Sequence, residues 1–348
     1  MGTVWAQSEA EAAGVSEVKR PHYVPQLYLR FFAVAREGAR TPTFWVYDKK
    51  DGCQPRPQTP INTAVESGFY DLEHEGVRVP VEEMLGMIES AARPILERLS
   101  RGEAPRDSDL PLLARFLSHM HVRGPRHIKA VEEHGTILAR EMIKHAANDS
   151  DEEIRIALEE TGGAGRMTVE EVRDWYRKAD TKVKGLVAPM GYWLAHSLHQ
   201  APTIEEILLQ MEWTTCSGPD DGTFLTGDTP VCPRTRWGRS QVNFGGGFAN
   251  PNTEVTFPLN DRTCLWLTHW RKPAWLPMKA GWVREINRRT AHIAERYVIA
   301  PRRSPAIDAL VEKSRVSVSL PKFDKKVIAE EYKEFRAIQE REKRDNSG

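Results

Sequence analysis

Polar residues that could carry chemistry are densest in one segment of the chain that is otherwise apolar. The candidates in this segment are Arg115, His119, His121, Arg123 and His127. His119, Arg123 and His127 follow at a spacing of four and share one face if a helix continues through Pro125. A buried arginine beside histidines would form an anion site, and the alternative is a solvated, structural face. A metal site at His119 and His121 is excluded, because side chains two positions apart point to different sides of a helix.

Three further residues outside this segment are candidates for catalysis or ligand binding. His22 precedes a predicted helix start at Pro25, where an imidazole resists protonation and can act as a neutral base. Asp228 lies in TGDTPV after an apolar strand, in a turn that holds a carboxylate at the end of the strand. The alternatives are that His22 caps backbone groups and that Asp228 accepts from backbone N–H groups in an Asx turn. Asn287, at the start of a late helix, is a candidate for contacting an anion, with an ordinary surface helix as the alternative.

The elements that must position these residues are helical in the middle of the chain. The period of apolar residues predicts a helix from Val81 with Met84, Met87 or Ile88, Ala91, Ile95 and Leu99 on its buried face. The next helix begins after the capping residues Asp107, Ser108 and Asp109. Pro125 should bend or break it between His121 and Arg126 and expose the carbonyl of His121. Helices are also predicted over 151–161 and 168–199.

Strands are predicted before and after the helical middle. A short buried helix over 24–35 precedes a strand that ends near Tyr47, and GFYDL at 68–72 is a possible second strand. The segments between 205 and 300 are short, rich in β-branched residues and separated by turns, a pattern that is typical of an antiparallel sheet. We therefore predict an α+β fold with a helical middle (81–200) packed on a mainly antiparallel C-terminal sheet (205–300). A single domain over 20–320 would carry a flexible arm (1–19) and a charged tail (321–348).

Composition excludes several classes of protein. The sequence has 49 Lys and Arg against 49 Asp and Glu, so no overall field attracts nucleic acid or anionic membrane, and any phosphate must meet a local patch. The four cysteines lie far apart, which predicts reduced, buried thiols rather than a zinc site. No secretory signal or membrane-spanning apolar run occurs, so a cytoplasmic protein is expected. No cofactor motif is found, since Gly245–Gly247 lack the strand and helix of a phosphate loop.

The N-terminal motif and four later segments together resemble one bacterial family. The opening HYVPQLYLRFF at 22–32 is followed by HVRGPRH, FLTGDTPV, TFPLN and a helix that begins near INRR. In this order they resemble the family called domain of unknown function 4238 over roughly residues 20–302. The resemblance implies a cytosolic, prokaryotic protein with one continuous domain and implies no particular reaction. At the FLTGDTPV turn the chain departs from the family pattern at Gly227 and Thr229. The resemblance therefore assigns no role to those two side chains.

A second and shorter resemblance concerns Arg115 and His121. Their R-x5-H spacing resembles the signature of the helical HEPN ribonucleases, although Phe116 stands where that family has a polar residue. We take His121 as a catalytic candidate and Arg115 as a ligand-binding candidate.

Taken together, these residues favour a metal-independent hydrolase or nuclease that acts on a phosphorylated or nucleic-acid ligand. Arg123, with Arg115 and Asn287, would hold the anion, His22 or His121 would be the acid–base group, and Asp228 would orient that histidine. We expect His22, Arg123 and Asp228 to converge on one pocket. The alternative is a non-catalytic module that senses a ligand or binds a protein, for example in stress or phage defence. The sequence does not indicate an oligomeric state.

Overall fold

A computed structural model describes residues 21–70, 73–74, 77–146, 148–160, 165–182, 190–235 and 247–315. The predicted arm at 1–19 and tail at 321–348 lie outside these residues. Within them the chain has the predicted α+β fold, with a helical middle packed on mainly antiparallel sheets. The helices are α1 (Gln26–Leu29), α2 (Val81–Ser100), α3 (Leu110–Val122), α4 (Pro125–Ala146), α5 (Asp151–Glu160), α6 (Val169–Lys182), α7 (Met190–His199), α8 (Ala201–Leu209), α9 (Ala280–Ile293) and α10 (Pro305–Lys313).

The N-terminal helix is shorter than the predicted range of 24–35. Pro25 precedes α1, which passes into a 3₁₀ turn at Arg30–Phe32, and the backbone becomes extended at Ala33. The apolar residues of the predicted helix are still buried. Tyr28, Leu29 and Phe32 have no exposed surface, so the prediction was correct about burial and wrong about length.

The buried face of α2 lies about one residue away from the predicted face. Val81, Leu85 and Ala92 are buried, followed by Leu96 and Leu99, whereas Met87 is 68% exposed. Met84 and Ala91 are also exposed, so the prediction was wrong for both. Ile88, the alternative to Met87, and Ile95 are partly buried and pack against the core. Flexible methionine side chains fit apolar patterns without being required in the core, and the period alone did not separate the two faces.

The predicted break at Pro125 is present. Helix α3 ends at Val122, and α4 starts at Pro125, where proline lacks only an N–H that a first helical turn leaves unbonded. The carbonyl of His121 is not left free as we predicted, since it accepts a hydrogen bond from the Gly124 N–H at 3.3 Å. Arg123 therefore lies in the connection between two helices rather than on a continuous helical face.

A five-stranded sheet forms most of the predicted C-terminal β region. Its order is β10 (Trp275–Pro277), β5 (Glu212–Ser217), β9 (Thr263–Thr268), β8 (Thr253–Pro258) and β7 (Cys232–Thr235). All neighbours are antiparallel except β10 and β5. Every residue of β8 and β9 is buried, because helices cover the sheet.

A second sheet of four strands joins the two ends of the domain. Its order is β2 (Pro55–Gln58), β1 (Phe44–Asp48), β11 (Tyr297–Ala300) and β6 (Thr226–Gly227), and all neighbours are antiparallel. Trp45 pairs with Ala300, so the N-terminal strand is fixed by a partner far along the chain. The prediction that GFYDL is a strand was wrong for Gly68–Tyr70, which form a turn. The strand that pairs with β1 on this side is instead the proline-rich β2. A short hairpin of β3 (Glu73–His74) and β4 (Val77–Arg78) follows.

One apolar core connects the N-terminal segment, the helical middle and the five-stranded sheet. Tyr28 of α1 stacks on Phe257 of β8 at 4.9 Å between ring centroids, and Phe116 of α3 meets the same ring at 6.3 Å. The Tyr28 hydroxyl donates to the Pro258 carbonyl at 2.7 Å, so this buried phenol is paired. All four cysteines are free and buried, as predicted. None of the helices in the described part of the chain is long and apolar enough to cross a membrane.

Candidate functional site

A cavity of about 250 Å³ lies where the N-terminal segment, α2 and the end of α3 meet. Its lining is mostly polar, which is unusual for space this close to a large apolar core. Two of the residues that we predicted to be functional, His22 and Arg123, face it together. The full lining is His22, Gln26, Leu27, Arg30, Tyr70, Glu82, Leu85, Gly86, Glu89 and Arg123.

Backbone pairing fixes the position of His22. The Tyr23 N–H donates to the Ala64 carbonyl at 3.0 Å, and His22 forms an isolated β-bridge with Val65. This bridge places the imidazole beside the turn at Pro60–Asn62. The short ladder, rather than α1, holds the histidine at the cavity.

The imidazole of His22 is held as a neutral base. Backbone groups of Pro60 and Ile61 hydrogen-bond to the ring and favour its protonated form, so they are carbonyls that accept a hydrogen bond from a ring N–H. Nε2 is buried and has no partner among the described residues, which assigns these bonds to Nδ1–H. Burial, with a smaller contribution from Arg123, lowers the pKa of His22. Near neutral pH, Nε2 therefore carries a free lone pair.

Arg123 supplies the complementary donor. It is 2% exposed, and its Nη1 donates to Oε1 of Glu89 at 2.7 Å. Its side chain also hydrogen-bonds to Tyr70, while Nε is buried and has no partner among the described residues. A buried guanidinium N–H without an acceptor is costly unless a ligand or water completes it. Both residues line the cavity, and each has one buried atom without a partner among the described residues: the acceptor His22 Nε2 and the donor Arg123 Nε–H.

Tyr70 and Gln26 complete the polar wall, and sequence reasoning missed both. The Tyr70 hydroxyl donates to the His22 carbonyl at 3.2 Å, and burial raises the pKa of Tyr70 to about 12, so the phenol stays protonated. Gln26 Oε1 accepts from Nη2 of Arg30 at 3.2 Å, and Arg30 is exposed. Gln26 and Arg30 belong to the HYVPQLYLR motif, which could have indicated them, whereas no sequence signal pointed to Glu89.

Asp228 does not join this cavity, so the predicted convergence of three residues is wrong for it. Its carboxylate is buried and accepts three backbone N–H groups, from Glu295 at 2.8 Å, Arg296 at 2.6 Å and Tyr297 at 2.9 Å. Burial raises the pKa of Asp228, and the three hydrogen bonds act in the opposite direction. The carboxylate connects the end of β6 to the start of β11. The alternative from the sequence, an Asx turn, was right that backbone N–H groups are the donors and wrong that they are local.

His121 lies away from His22, on the other side of the helix break. Its ring packs against His127 at 4.8 Å and against Phe248 at 4.9 Å between centroids. Burial lowers the pKa of His121 well below its ordinary value and that of His127 to about 4, so both rings are neutral. The predicted shared face of His119, Arg123 and His127 does not form, because the break turns Arg123 to the cavity and His127 to His121.

Arg115 and Asn287 are engaged in contacts with the protein itself. Arg115 is exposed and forms two hydrogen bonds with Glu205 of α8, at 3.0 and 3.1 Å. Asn287 accepts from the Leu225 N–H at 2.9 Å and donates to the Thr223 carbonyl at 2.7 Å. Both positions are thereby used to connect elements of the fold, and neither residue lines the cavity.

Comparison with the curated proteins and with the solved structures found no match. Comparison with protein families found one, over residues 20–304, described as "Protein of unknown function (DUF4238)". The matched range includes the His22 segment, α2, Arg123 and the Asp228 turn. The chain therefore belongs to the DUF4238 family, as its motifs predicted.

Proposed function

We propose that this protein is a hydrolase that acts on a small phosphorylated ligand in the cavity, with His22 as the general base. The observation that carries the proposal is that His22 and Arg123 line one cavity and that each has a buried polar atom, Nε2 and Nε, without a partner among the described residues. A neutral imidazole with its Nδ1–H fixed to backbone carbonyls is suited to removing a proton from water. The Arg123 N–H is suited to an oxygen of the phosphoryl group.

The proposed step uses groups of this chain. Water held at His22 attacks phosphorus and gives its proton to Nε2 while a new P–O bond forms. The bond from phosphorus to the leaving oxygen breaks, and the imidazolium returns the proton to that oxygen. Arg123 bonds to a phosphoryl oxygen throughout, and Glu89 fixes the guanidinium through its 2.7 Å bond.

The size of the cavity limits the size of the ligand that can bind. At about 250 Å³ it is slightly smaller than common ligand pockets, which have roughly 300–1,000 Å³. A phosphate monoester of modest size is therefore favoured over a nucleic-acid duplex. In the nuclease version of the proposal, only one terminal nucleotide of a strand enters.

The test is turnover of phosphate monoesters, using p-nitrophenyl phosphate and the nucleoside 5′-monophosphates. His22→Gln should lower kcat by about 10²–10⁴-fold, the usual contribution of a general base. His119→Gln is a matched control, because its ring donates from Nδ1 to the Arg115 carbonyl at 2.9 Å and lies outside the cavity lining. Equal turnover by the wild type and His22→Gln would contradict the proposal.

A second candidate is a module that binds the same ligand without hydrolysis. It is favoured by the pairing of Arg123 with Glu89 and by the absence of any carboxylate bonded to the His22 ring among the described residues. Saturable binding of these esters with no release of phosphate would support the module. Binding with release that depends on His22 would support the hydrolase.

A further inference from the structure

Three arginines share one glutamate on the face of α9 that packs near β7. Oε1 of Glu285 accepts from Arg234 Nη1 at 2.6 Å, from Arg288 Nη2 at 2.9 Å and from Arg289 Nε at 3.0 Å. Oε2 accepts from Arg288 Nε at 2.8 Å. The guanidiniums lower the pKa of Glu285 to about 2, even though burial acts to raise it. We call Arg234, Arg288, Arg289 and Glu285 the arginine cluster.

The arginine cluster carries more positive than negative charge. Arg289 also pairs with the buried Glu254 of β8 at 2.7 Å. When Glu254 is counted with the arginine cluster, three guanidiniums face two carboxylates. One positive charge among these five residues is therefore not balanced by the other four. A cluster of this sign attracts anions, most strongly where it is shielded from water.

Arg234 is the least satisfied member of the cluster. Its Nη1 bonds to Glu285, while its Nε is buried and has no partner among the described residues. Burial and the neighbouring Arg289 lower the pKa of Arg234, so its charge is held in an unfavourable environment. Arg288, with 39% of its side chain exposed, opens the cluster to solvent.

We propose that Arg234 and Arg288 form a binding site for a phosphoryl-type oxyanion, separate from the His22 cavity. The planar guanidinium fork matches the spacing of two phosphate oxygens, so the unused N–H groups of both arginines can bind one anion. Neither arginine lines the cavity. Glu285 holds the two guanidiniums side by side, and the anion supplies the missing negative charge.

The test is titration of the full chain, labelled with ¹⁵N at arginine, with inorganic phosphate at low ionic strength. The Nε–Hε resonance of Arg234, assigned by its loss in Arg234→Gln, should shift saturably. Arg288→Gln should weaken this binding by about tenfold, which corresponds to one charged hydrogen bond. Arg303→Gln is the control, because Arg303 is 49% exposed and pairs with a single carboxylate, that of Asp308; it should leave the affinity unchanged.

The readout at Arg234 also separates this site from the cavity. Arg123→Gln should leave the Arg234 shift unchanged even if it removes the binding that the proposed hydrolase requires. The proposal would be overturned by an Arg234 resonance that does not move, by one that chloride moves as far at the same ionic strength, or by an Arg288→Gln variant that binds as tightly as the wild type.

Discussion

The His22 cavity and the Asp228 turn both contain buried polar side-chain atoms, but their hydrogen bonding is opposite. At the cavity, the lining residues His22 and Arg123 each have a buried atom, Nε2 and Nε, that has no partner in the described part of the chain. At the turn, both oxygens of Asp228 are bonded to backbone N–H groups. A polar group that is fully bonded within the chain stabilises the fold, and one that is left unbonded beside a cavity has capacity for a ligand.

The comparison also distinguishes two kinds of buried charge. Arg123 has several N–H donors and uses only part of them on Glu89 and Tyr70. Asp228 has no unused oxygen and bonds to the backbone of residues 295–297, which lead into β11, the partner of β6. Substitution at Asp228 should therefore affect stability, whereas substitution at His22 should affect chemistry. The predictions below test this division, beginning with the largest effect.

Asp228→Asn should lower the free energy of unfolding by about 3 kcal/mol, because the amide offers one acceptor oxygen and its NH₂ faces backbone N–H groups. Urea denaturation would measure the loss. Asp220→Asn is the control, since Asp220 is fully exposed and its carboxylate pairs with Arg262; this substitution should leave the urea midpoint nearly unchanged. Unchanged stability in Asp228→Asn would contradict the structural role assigned to Asp228.

Gly227→Ala, next to Asp228, should cost about 2 kcal/mol, because a methyl group would lie 2.6 Å from the Tyr297 carbonyl oxygen and 3.2 Å from the Ala294 methyl group. In Gly86→Ala, within α2, the methyl group would meet no atom within 4 Å. This control should gain up to about 1 kcal/mol from helix propensity. Thermal unfolding of the pair would check the contrast, and a stable Gly227→Ala variant would show that the turn has room to adjust.

Acidification should destabilise the protein through the histidines at the helix break. The pKa of His127 is about 4 in the folded chain and near 6.5 when unfolded, so the unfolded state binds more protons between these values. Stability is therefore complete above about pH 6.5 and is lost as the pH falls toward 4. At pH 5 we expect His127 to account for roughly 1–2 kcal/mol of the loss, which denaturation at pH 7.5 and pH 5 would measure. His127→Gln should lose less unfolding free energy between pH 7.5 and pH 5, and the remaining loss would be due to His121. If the variant lost as much as the wild type, His127 would not be the cause.

The smallest effect is expected at Arg115. Its ion pair with Glu205 is exposed, so Arg115→Ala should cost less than about 1 kcal/mol. Phosphate ester turnover should be unchanged, because Arg115 does not line the cavity. A large loss of turnover with normal stability would instead support the ribonuclease-like role that the Arg115 and His121 spacing implied.

Features with a local cause could be predicted from the sequence. The break at Pro125 follows from the missing N–H of one residue, and the burial of Tyr28 and Phe32 follows from their spacing. The membership of the family followed from the motif that begins at His22. The general α+β arrangement followed from the change from a helical to an alternating pattern of apolar residues.

Features that depend on distant partners could not be predicted. Nothing near Trp45 specifies that it pairs with Ala300, and nothing near Asp228 specifies that its oxygens bind the N–H groups of 295–297. His22 and Arg123 were expected to share a pocket with Asp228, but no pattern indicated Glu89 of α2 or Tyr70 of the turn at 68–70, which complete their cavity. A site formed by several elements requires the tertiary structure for its assignment.

The central claim is that His22, which lines a ligand cavity, carries an unbonded Nε2 lone pair. Proton-coupled ¹⁵N NMR of histidine-labelled protein at pH 7 tests it directly, with His22→Gln to assign the resonances. We predict a neutral ring with its proton on Nδ1, whose Nε2 resonance shifts when inorganic phosphate is added. A proton on Nε2, or an Nε2 resonance that phosphate does not move, would contradict the account.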